Sequence, residues 1–124
     1  MDLCTVISER FIPQALNLIQ SYKVNSYAKD VYLYYFNTDV GKLSVFHEIF
    51  GDSIKLIEVE KVCEHAHEPR VFFYKTYALY DCLLNRTDEV IYSDSANCFI
   101  RPTDTIEQDL IDNSLFMVYP YAGL

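Results

Sequence analysis

Short apolar runs, rich in β-branched and aromatic residues, alternate along the chain with segments whose apolar residues recur at helical spacing. Each run is bounded by polar residues, a pattern typical of buried strands. Strands are therefore predicted over residues 3–7, 31–36, 54–59, 90–93 and 115–119. The run over 31–36 is apolar or aromatic throughout, which predicts a strand that is covered on both faces.

The segments between these runs predict helices. Apolar residues from Phe11 to Tyr22 recur at helical spacing after Ser8, a candidate N-cap. A short amphipathic segment over 43–50 ends at Gly51, a residue that favours helix ends. Further helices are predicted over 72–84 and after Thr103. Strands that alternate with helices in this way predict an α/β fold with a mostly parallel sheet and helices on both faces.

Length and charge narrow the classes of partner. The 124 residues predict one domain, 1–124, because domains typically have about 100–200 residues. A net charge of −8 disfavours binding to a nucleic-acid backbone, although one local cation or a helix N-terminus can hold a small phosphorylated ligand. Asp2, Glu9 and Arg10 interrupt the first apolar run, and no uncharged stretch approaches the ~20 residues of a membrane span. These features predict a cytoplasmic protein with no membrane span.

Polar side chains follow several predicted strands at the point where each strand ends. Ser8 and Glu9 follow the first strand, Asn37 and Asp39 follow the second, and Asp94 follows the strand over 90–93. In an open α/β sheet, ligands bind just outside the carboxyl ends of the strands. These positions therefore predict a binding site at one edge of the sheet. Ordinary turn chemistry is the alternative for each of them.

The run VIYSDSAN over 90–97 carries a family resemblance. It resembles the nucleotide-sugar glycosyltransferases of the GT-A fold, in which an apolar strand ends in an Asp-x-Asp motif. In that family a helix with a basic residue precedes the motif, and a Pro-containing turn into a helix follows it. Here the helix over 74–80 carries Lys75, and Pro102 lies in the turn. The resemblance covers only the donor-binding half of the family and implies a Rossmann-like sheet of GT-A type.

The resemblance implies a nucleotide-sugar partner, with a UDP-sugar as the default donor. The donor-binding residues that it implies are Ile7, Ser8, Glu9, Asn37, Asp39, Lys75, Asp94 and Ser95. The first strand exit would approach the base, together with Asn37, Thr38 and Asp39. Lys75 would approach the diphosphate, and Asp94 would face the ribose or a metal. A solvated helix position is the alternative for Lys75.

The family motif is altered at its second carboxylate. In the family two carboxylates hold Mn²⁺ or Mg²⁺, which neutralises the donor diphosphate. Here Ala96 replaces the second carboxylate and cannot ligate a metal, which leaves Asp94 and the neutral amide of Asn97 as the metal ligands. The residues therefore favour weak metal binding by the protein alone, with most ligands supplied by the donor phosphates.

Three hypotheses remain open from the sequence. The chain is an active glycosyltransferase domain, a non-catalytic nucleotide- or protein-binding module derived from one, or a piece of a longer enzyme. His65 and His67 share a face if their segment is extended, but a solvated loop is the better interpretation. The family resemblance implies a mobile loop in this region, with His65, His67 and Arg70 closing over a donor. A final strand over 115–119 would leave a sheet edge, which a second copy of the chain could cover.

Overall fold

The computed structural model describes residues 1–27, 30–61 and 73–113. In this part of the chain, strands and helices alternate as the apolar pattern predicts. The strands are β1 (Asp2–Ile7), β2 (Val31–Tyr35), β3 (Ile54–Glu58) and β4 (Val90–Tyr92), and the helices are α1 (Ile12–Asn25), α2 (Ser44–Phe50), α3 (Phe73–Asn85) and α4 (Asp104–Asn113). Short 3-10 turns lie at Glu9–Phe11, Val40–Leu43, Gly51–Ser53 and Val59–Lys61.

The four described strands form one sheet in the order β3-β2-β1-β4. Every pair is parallel: β1 pairs with β2 from Leu3–Val31 to Ile7–Tyr35, and with β4 up to Cys4 opposite Tyr92. The strand order therefore runs outward from β1 to β3 and then returns to the other side of β1. This reversal leaves a crevice between the carboxyl ends of β1 and β4, where open α/β sheets bind ligands.

Helices cover both faces of the sheet, because side chains alternate between the faces along each strand. On one face, Leu3 and Ile7 of β1 pack with buried residues of α1 and α2, among them Leu18 and Phe46. On the other face, Tyr34 and neighbouring residues pack against Ala78 and Cys82 of α3. All five residues of β2 are buried, as the uniformly apolar run predicts. The predicted α/β class, with a parallel sheet and helices on both faces, is confirmed.

Two predicted helix boundaries have different outcomes. Gly51 ends α2 with φ 71°, a conformation in which a side chain would be strained, so the predicted helix end is confirmed. Ser8 precedes the 3-10 turn Glu9–Phe11 rather than α1, and its side chain makes no capping hydrogen bond. The prediction of Ser8 as the cap of the long helix was wrong, because the intervening turn delays that helix to Ile12.

The start of α4 is tied to the opposite end of the sheet from the crevice. The backbone N–H and the hydroxyl of Thr103 both donate to the carbonyl of Asn25 at the end of α1. The amino-terminal ammonium forms an ion pair of 3.0 Å with Glu107 of α4. The predicted loop with His65, His67 and Arg70, and the predicted strand over 115–119, lie outside the described residues.

Candidate functional site

A cavity of about 170 Å³ opens at the crevice where the strand order reverses. Five elements converge on it because the carboxyl ends of parallel strands meet at one edge of the sheet. Its described lining comes from the ends of β1 and β2, the first turns after β1 and into α3, and the turn after β4: Val6, Ser8, Phe11, Phe36, Tyr74, Lys75, Asp94, Ser95 and Ala96. Four of the predicted site residues are thereby brought together, namely Ser8, Lys75, Asp94 and Ser95.

Three aromatic rings line the cavity. Phe36 follows β2 directly and its ring lies 4.8 Å from the ring of Tyr74 in the first turn of α3. Phe11 adds a third ring, with the guanidinium of Arg10 stacked 4.7 Å from its centroid. Aromatic faces of this kind stack on the flat rings of nucleobases.

The lining of the cavity also carries an ion pair. The Lys75 ammonium lies 2.8 Å from Oδ1 of Asp94, and the two side chains are 40% and 44% exposed. The hydroxyl of Tyr92 donates to the same carboxylate oxygen at 3.1 Å. Burial, followed by the charge of Asp94 and this hydrogen bond, raises the pKa of Tyr92 above its usual range. Tyr92 therefore stays neutral and donates. An ion pair with this exposure contributes only about 0–1 kcal/mol.

A tight turn fixes Asp94 at the rim. The backbone N–H of Asn97 donates to the carbonyl of Asp94 at 3.1 Å, and the Asn97 side-chain amide donates to the Ser93 hydroxyl at 3.2 Å. Ser93 also continues the pairing of β4 with β1, because its N–H donates to the carbonyl of Cys4. Within this turn Ser95 is buried, whereas Ala96 is exposed on the cavity side.

The other four predicted donor-binding residues lie outside the described lining, and so does the predicted metal ligand Asn97. The Ile7 side chain is buried in the core against the helices of the opposite face. Glu9 accepts hydrogen bonds from Lys42 and from the N–H of Asp39, and these two contacts hold the pKa of Glu9 below its usual range. Asp39 accepts from the N–H of Gly41 and thereby begins the 3-10 turn. Asn37 is exposed, with φ 46°. Turn chemistry thus accounts for the contact of Asp39 with Gly41, whereas Glu9 joins the turn after β1 to the segment after β2.

The residues at the rim do not fit a divalent cation. Such ions take several oxygen ligands, and carboxylates are the strongest of them. Asp94 supplies one carboxylate, which is already paired with an ammonium, and Ala96 supplies a methyl group. No three His, Cys, Asp or Glu side chains within 1–27, 30–61 and 73–113 are grouped for a metal. A metal at Oδ1 of Asp94 would have to compete with Lys75 and with the Tyr92 hydroxyl.

The aromatic residues of the cavity lining were missed by sequence reasoning. Phe36 reads as the last residue of a buried strand, and Tyr74 and Phe11 read as parts of helical faces. The available signal was their position, because Phe36 precedes a polar strand exit and Tyr74 precedes Lys75. The contact of Lys75 with Asp94 was also not predicted, although both residues were assigned to the donor site.

A four-stranded parallel sheet with helices on both faces, and a cavity where the strand order reverses, defines a Rossmann-like α/β protein. No protein-family model matches the chain, and no curated protein matches it significantly. None of the helices in the described part of the chain has both the length and the apolar character that a membrane crossing needs.

Proposed function

We propose that this chain is a nucleotide-sugar-binding domain of GT-A type, with a UDP-sugar as its default donor and sugar transfer to an acceptor hydroxyl as its reaction. The observation that carries the proposal is the cavity between the ends of β1 and β4, whose lining combines aromatic rings with the charged groups of Lys75 and Asp94. A nucleoside diphosphate needs both kinds of surface. Its base stacks on rings, its ribose hydroxyls donate to a carboxylate, and its phosphates need a cation.

The size of the cavity limits how much of a donor it encloses. Pockets that enclose a whole small molecule have volumes of roughly 300–1,000 Å³, whereas this cavity has about 170 Å³. The described cavity therefore takes part of the donor, and the remainder extends over the rim. Ser8, the residue after β1, is part of the lining and is available to contact the donor.

The second candidate function is a non-catalytic module that binds a nucleotide or a protein. The methyl group of Ala96, at the position of the second motif carboxylate, favours it. A glycosyltransferase must neutralise a departing diphosphate, and the altered motif supplies one carboxylate fewer for a metal. Binding without turnover is the outcome that this candidate predicts.

Calorimetric titration with UDP, UDP-glucose and UDP-N-acetylglucosamine tests the proposal, with GDP and ADP as comparisons. We expect saturable heat with the uridine nucleotides. The absence of both heat and a thermal shift with every nucleotide would overturn it. Binding of GDP or ADP in preference to UDP would support a nucleotide site but would contradict a UDP-sugar as the donor.

Two tryptophan variants locate the binding site. Ala96→Trp places a large ring at an exposed position on the cavity rim, and Thr105→Trp places the same ring at an exposed position of α4. The chain has no tryptophan of its own, so the fluorescence of each variant reports on one position. We expect UDP binding to be lost in Ala96→Trp and kept in Thr105→Trp. Equal binding by both variants would exclude the cavity as the site.

Product release separates the two candidate functions. The protein is incubated with a UDP-sugar that it binds, in the presence and absence of sugar acceptors, and free UDP is measured. Release of UDP above the rate of an Ala96→Trp sample supports transfer or hydrolysis. Tight binding with no release supports the non-catalytic module.

A further inference from the structure

We infer that the Lys75 ammonium, rather than a divalent cation, is the counter-charge for the phosphate groups of the ligand in this cavity. It reaches them by exchanging its partner, from the carboxylate of Asp94 to the phosphate oxygens. The inference rests on the proposed function for the identity of the ligand as a nucleoside diphosphate, and it adds that binding needs no metal.

The ion pair is suited to exchange. Both side chains are substantially exposed, so the Lys75–Asp94 contact of 2.8 Å is one that water and salt weaken. A diphosphate carries more negative charge than a single carboxylate and offers several acceptor oxygens. Lys75 therefore gains by the exchange, and its flexible stem allows the ammonium to move without a change in the backbone.

The contacts at Oδ1 of Asp94 disfavour a metal at that oxygen. Tyr92 donates a hydrogen bond to the oxygen that contacts Lys75, and a donor hydroxyl competes with a cation for that oxygen. The amide nitrogen of Asn97 is held by the Ser93 hydroxyl, which fixes the orientation of the Asn97 side chain within the turn. Ala96 adds no oxygen ligand.

The exchange gives Asp94 a separate role. Once Lys75 has moved to the phosphates, the carboxylate of Asp94 is available to accept a hydrogen bond from a ribose hydroxyl. Lys75 lies in the first turn of α3 and Asp94 lies in the turn after β4, so the two residues approach the cavity from different elements. Phosphate and ribose can therefore be contacted together.

Titrations in EDTA test the inference, with UDP and inorganic pyrophosphate as probes. We expect both to bind, and to bind equally well when Mn²⁺ replaces EDTA. Lys75→Met should weaken both by about tenfold or more, because a charge-assisted contact is lost. Lys55→Met is the matched control, because Lys55 is exposed on β3 and its ammonium donates to the carbonyl of Asp52. It should leave both affinities unchanged.

Asp94→Asn should strengthen pyrophosphate binding, whereas Lys75→Met should weaken it. The variant removes the carboxylate that competes for Lys75, so the affinity for pyrophosphate in EDTA should rise several-fold. A metal-dependent site would lose affinity in the same variant, because its single carboxylate ligand is gone. Asp88→Asn, at an exposed position before β4, is the charge-matched control and should change neither probe.

The outcomes distinguish this inference from the proposed function. Binding of UDP that requires Mn²⁺, or that is insensitive to Lys75→Met, overturns the inference and leaves the proposed function standing. Binding of pyrophosphate that depends on Lys75, with no gain in affinity from the uridine of UDP, supports the inference and contradicts the nucleotide site. Failure of both probes to bind under either condition overturns both.

Discussion

Asn37 and Thr5 are two residues with locally unfavourable features, a positive φ in the first and a buried hydroxyl without a partner in the second. Asn37 lies two residues after the end of β2. Its φ is 46°, a backbone conformation that asparagine tolerates better than most residues. An asparagine at this position is therefore explained by the backbone conformation of the turn as well as by the predicted contact with a base. Thr5 lies in the centre of β1, is fully buried, and its hydroxyl has no hydrogen-bond partner among the described residues.

Thr5→Val should stabilise the protein. The substitution replaces a buried hydroxyl that lacks a partner with a methyl group of similar shape, and an unsatisfied buried polar group costs about 1–3 kcal/mol. We expect the free energy of unfolding to rise by about 1 kcal/mol, measured as a higher urea midpoint with an unchanged slope.

Thr103→Val is the matched control for this prediction. Thr103 is equally buried, but its hydroxyl donates to the carbonyl of Asn25. Removal of that donor should lower the urea midpoint or leave it unchanged. A drop in the midpoint of Thr5→Val would show that its hydroxyl has a partner in solution.

At the scale of elements, a buried carboxylate adds a polar contact between α3 and the sheet to the apolar packing of Ala78 and Cys82. Asp81 of α3 accepts hydrogen bonds from the Tyr34 hydroxyl of β2 at 2.6 Å, from Asn85 at 2.8 Å and from Arg86 at 3.3 Å. Because α3 also carries Lys75, this contact fixes the element that brings the cation to the cavity. The network lies on the face opposite α1 and α2.

Asp81→Asn should lower the free energy of unfolding at pH 7 and should make that free energy depend less on pH in acid. Burial raises the pKa of Asp81, but the hydrogen bonds from Tyr34, Asn85 and Arg86 and the charge of Arg86 outweigh it, so the pKa lies below its ordinary value of 3.8. A lowered pKa in the folded state means stability that is present above pH 3.8 and lost as the pH falls through the folded-state pKa.

We expect Asp81→Asn to lose on the order of 1–2 kcal/mol at pH 7, since hydrogen bonds to a charged group are the strong ones. Thermal unfolding at pH 7 and at pH 3 measures the change, and the difference between variant and wild type should shrink at the lower pH. Asp112→Asn, at an exposed position of α4, is the control. An equal difference at both pH values would contradict an ionised Asp81.

At the scale of the whole molecule, tyrosines fill much of the space between sheet and helices. The chain has eleven tyrosines, and Tyr22 and Tyr34 are fully buried. The hydroxyl of Tyr22 donates to the carbonyl of Met1, and burial raises its pKa to about 12. Burial and the bond to Asp81 also raise the pKa of Tyr34. Core packing therefore depends on these hydroxyls staying protonated.

Alkaline titration should unfold the protein cooperatively. Tyrosines with a raised folded-state pKa contribute stability that is fully present below their ordinary pKa of 10.0 and is lost as the pH rises toward the folded-state value, about 12 for Tyr22. Tyrosinate formation is measured by near-ultraviolet absorbance, and unfolding is measured by circular dichroism. We expect the buried tyrosines to ionise together, at the pH where the circular dichroism is lost.

The same titration of the urea-unfolded chain is the reference, and all eleven tyrosines should ionise there in one non-cooperative step. Complete ionisation in the absence of urea, while the circular dichroism remains native, would contradict the buried positions of Tyr22 and Tyr34.

The sequence by itself determined the elements and the fold class. Strand burial over Val31–Tyr35 and the helix end at Gly51 follow from the order of apolar residues and from backbone freedom, which are local properties. Polar strand exits also pointed to the edge of the sheet where the cavity lies, because the carboxyl ends of parallel strands meet there.

Only the tertiary structure decided which side chains meet. The ring of Phe36 on Tyr74, the bond of Tyr34 to Asp81 across 47 residues and the ion pair of Lys75 with Asp94 all join different elements. Such contacts depend on how each crossover helix packs on the sheet, which no local pattern encodes. For the same reason the sequence could assign Lys75 and Asp94 to one site but could not show that the ammonium already pairs with the carboxylate.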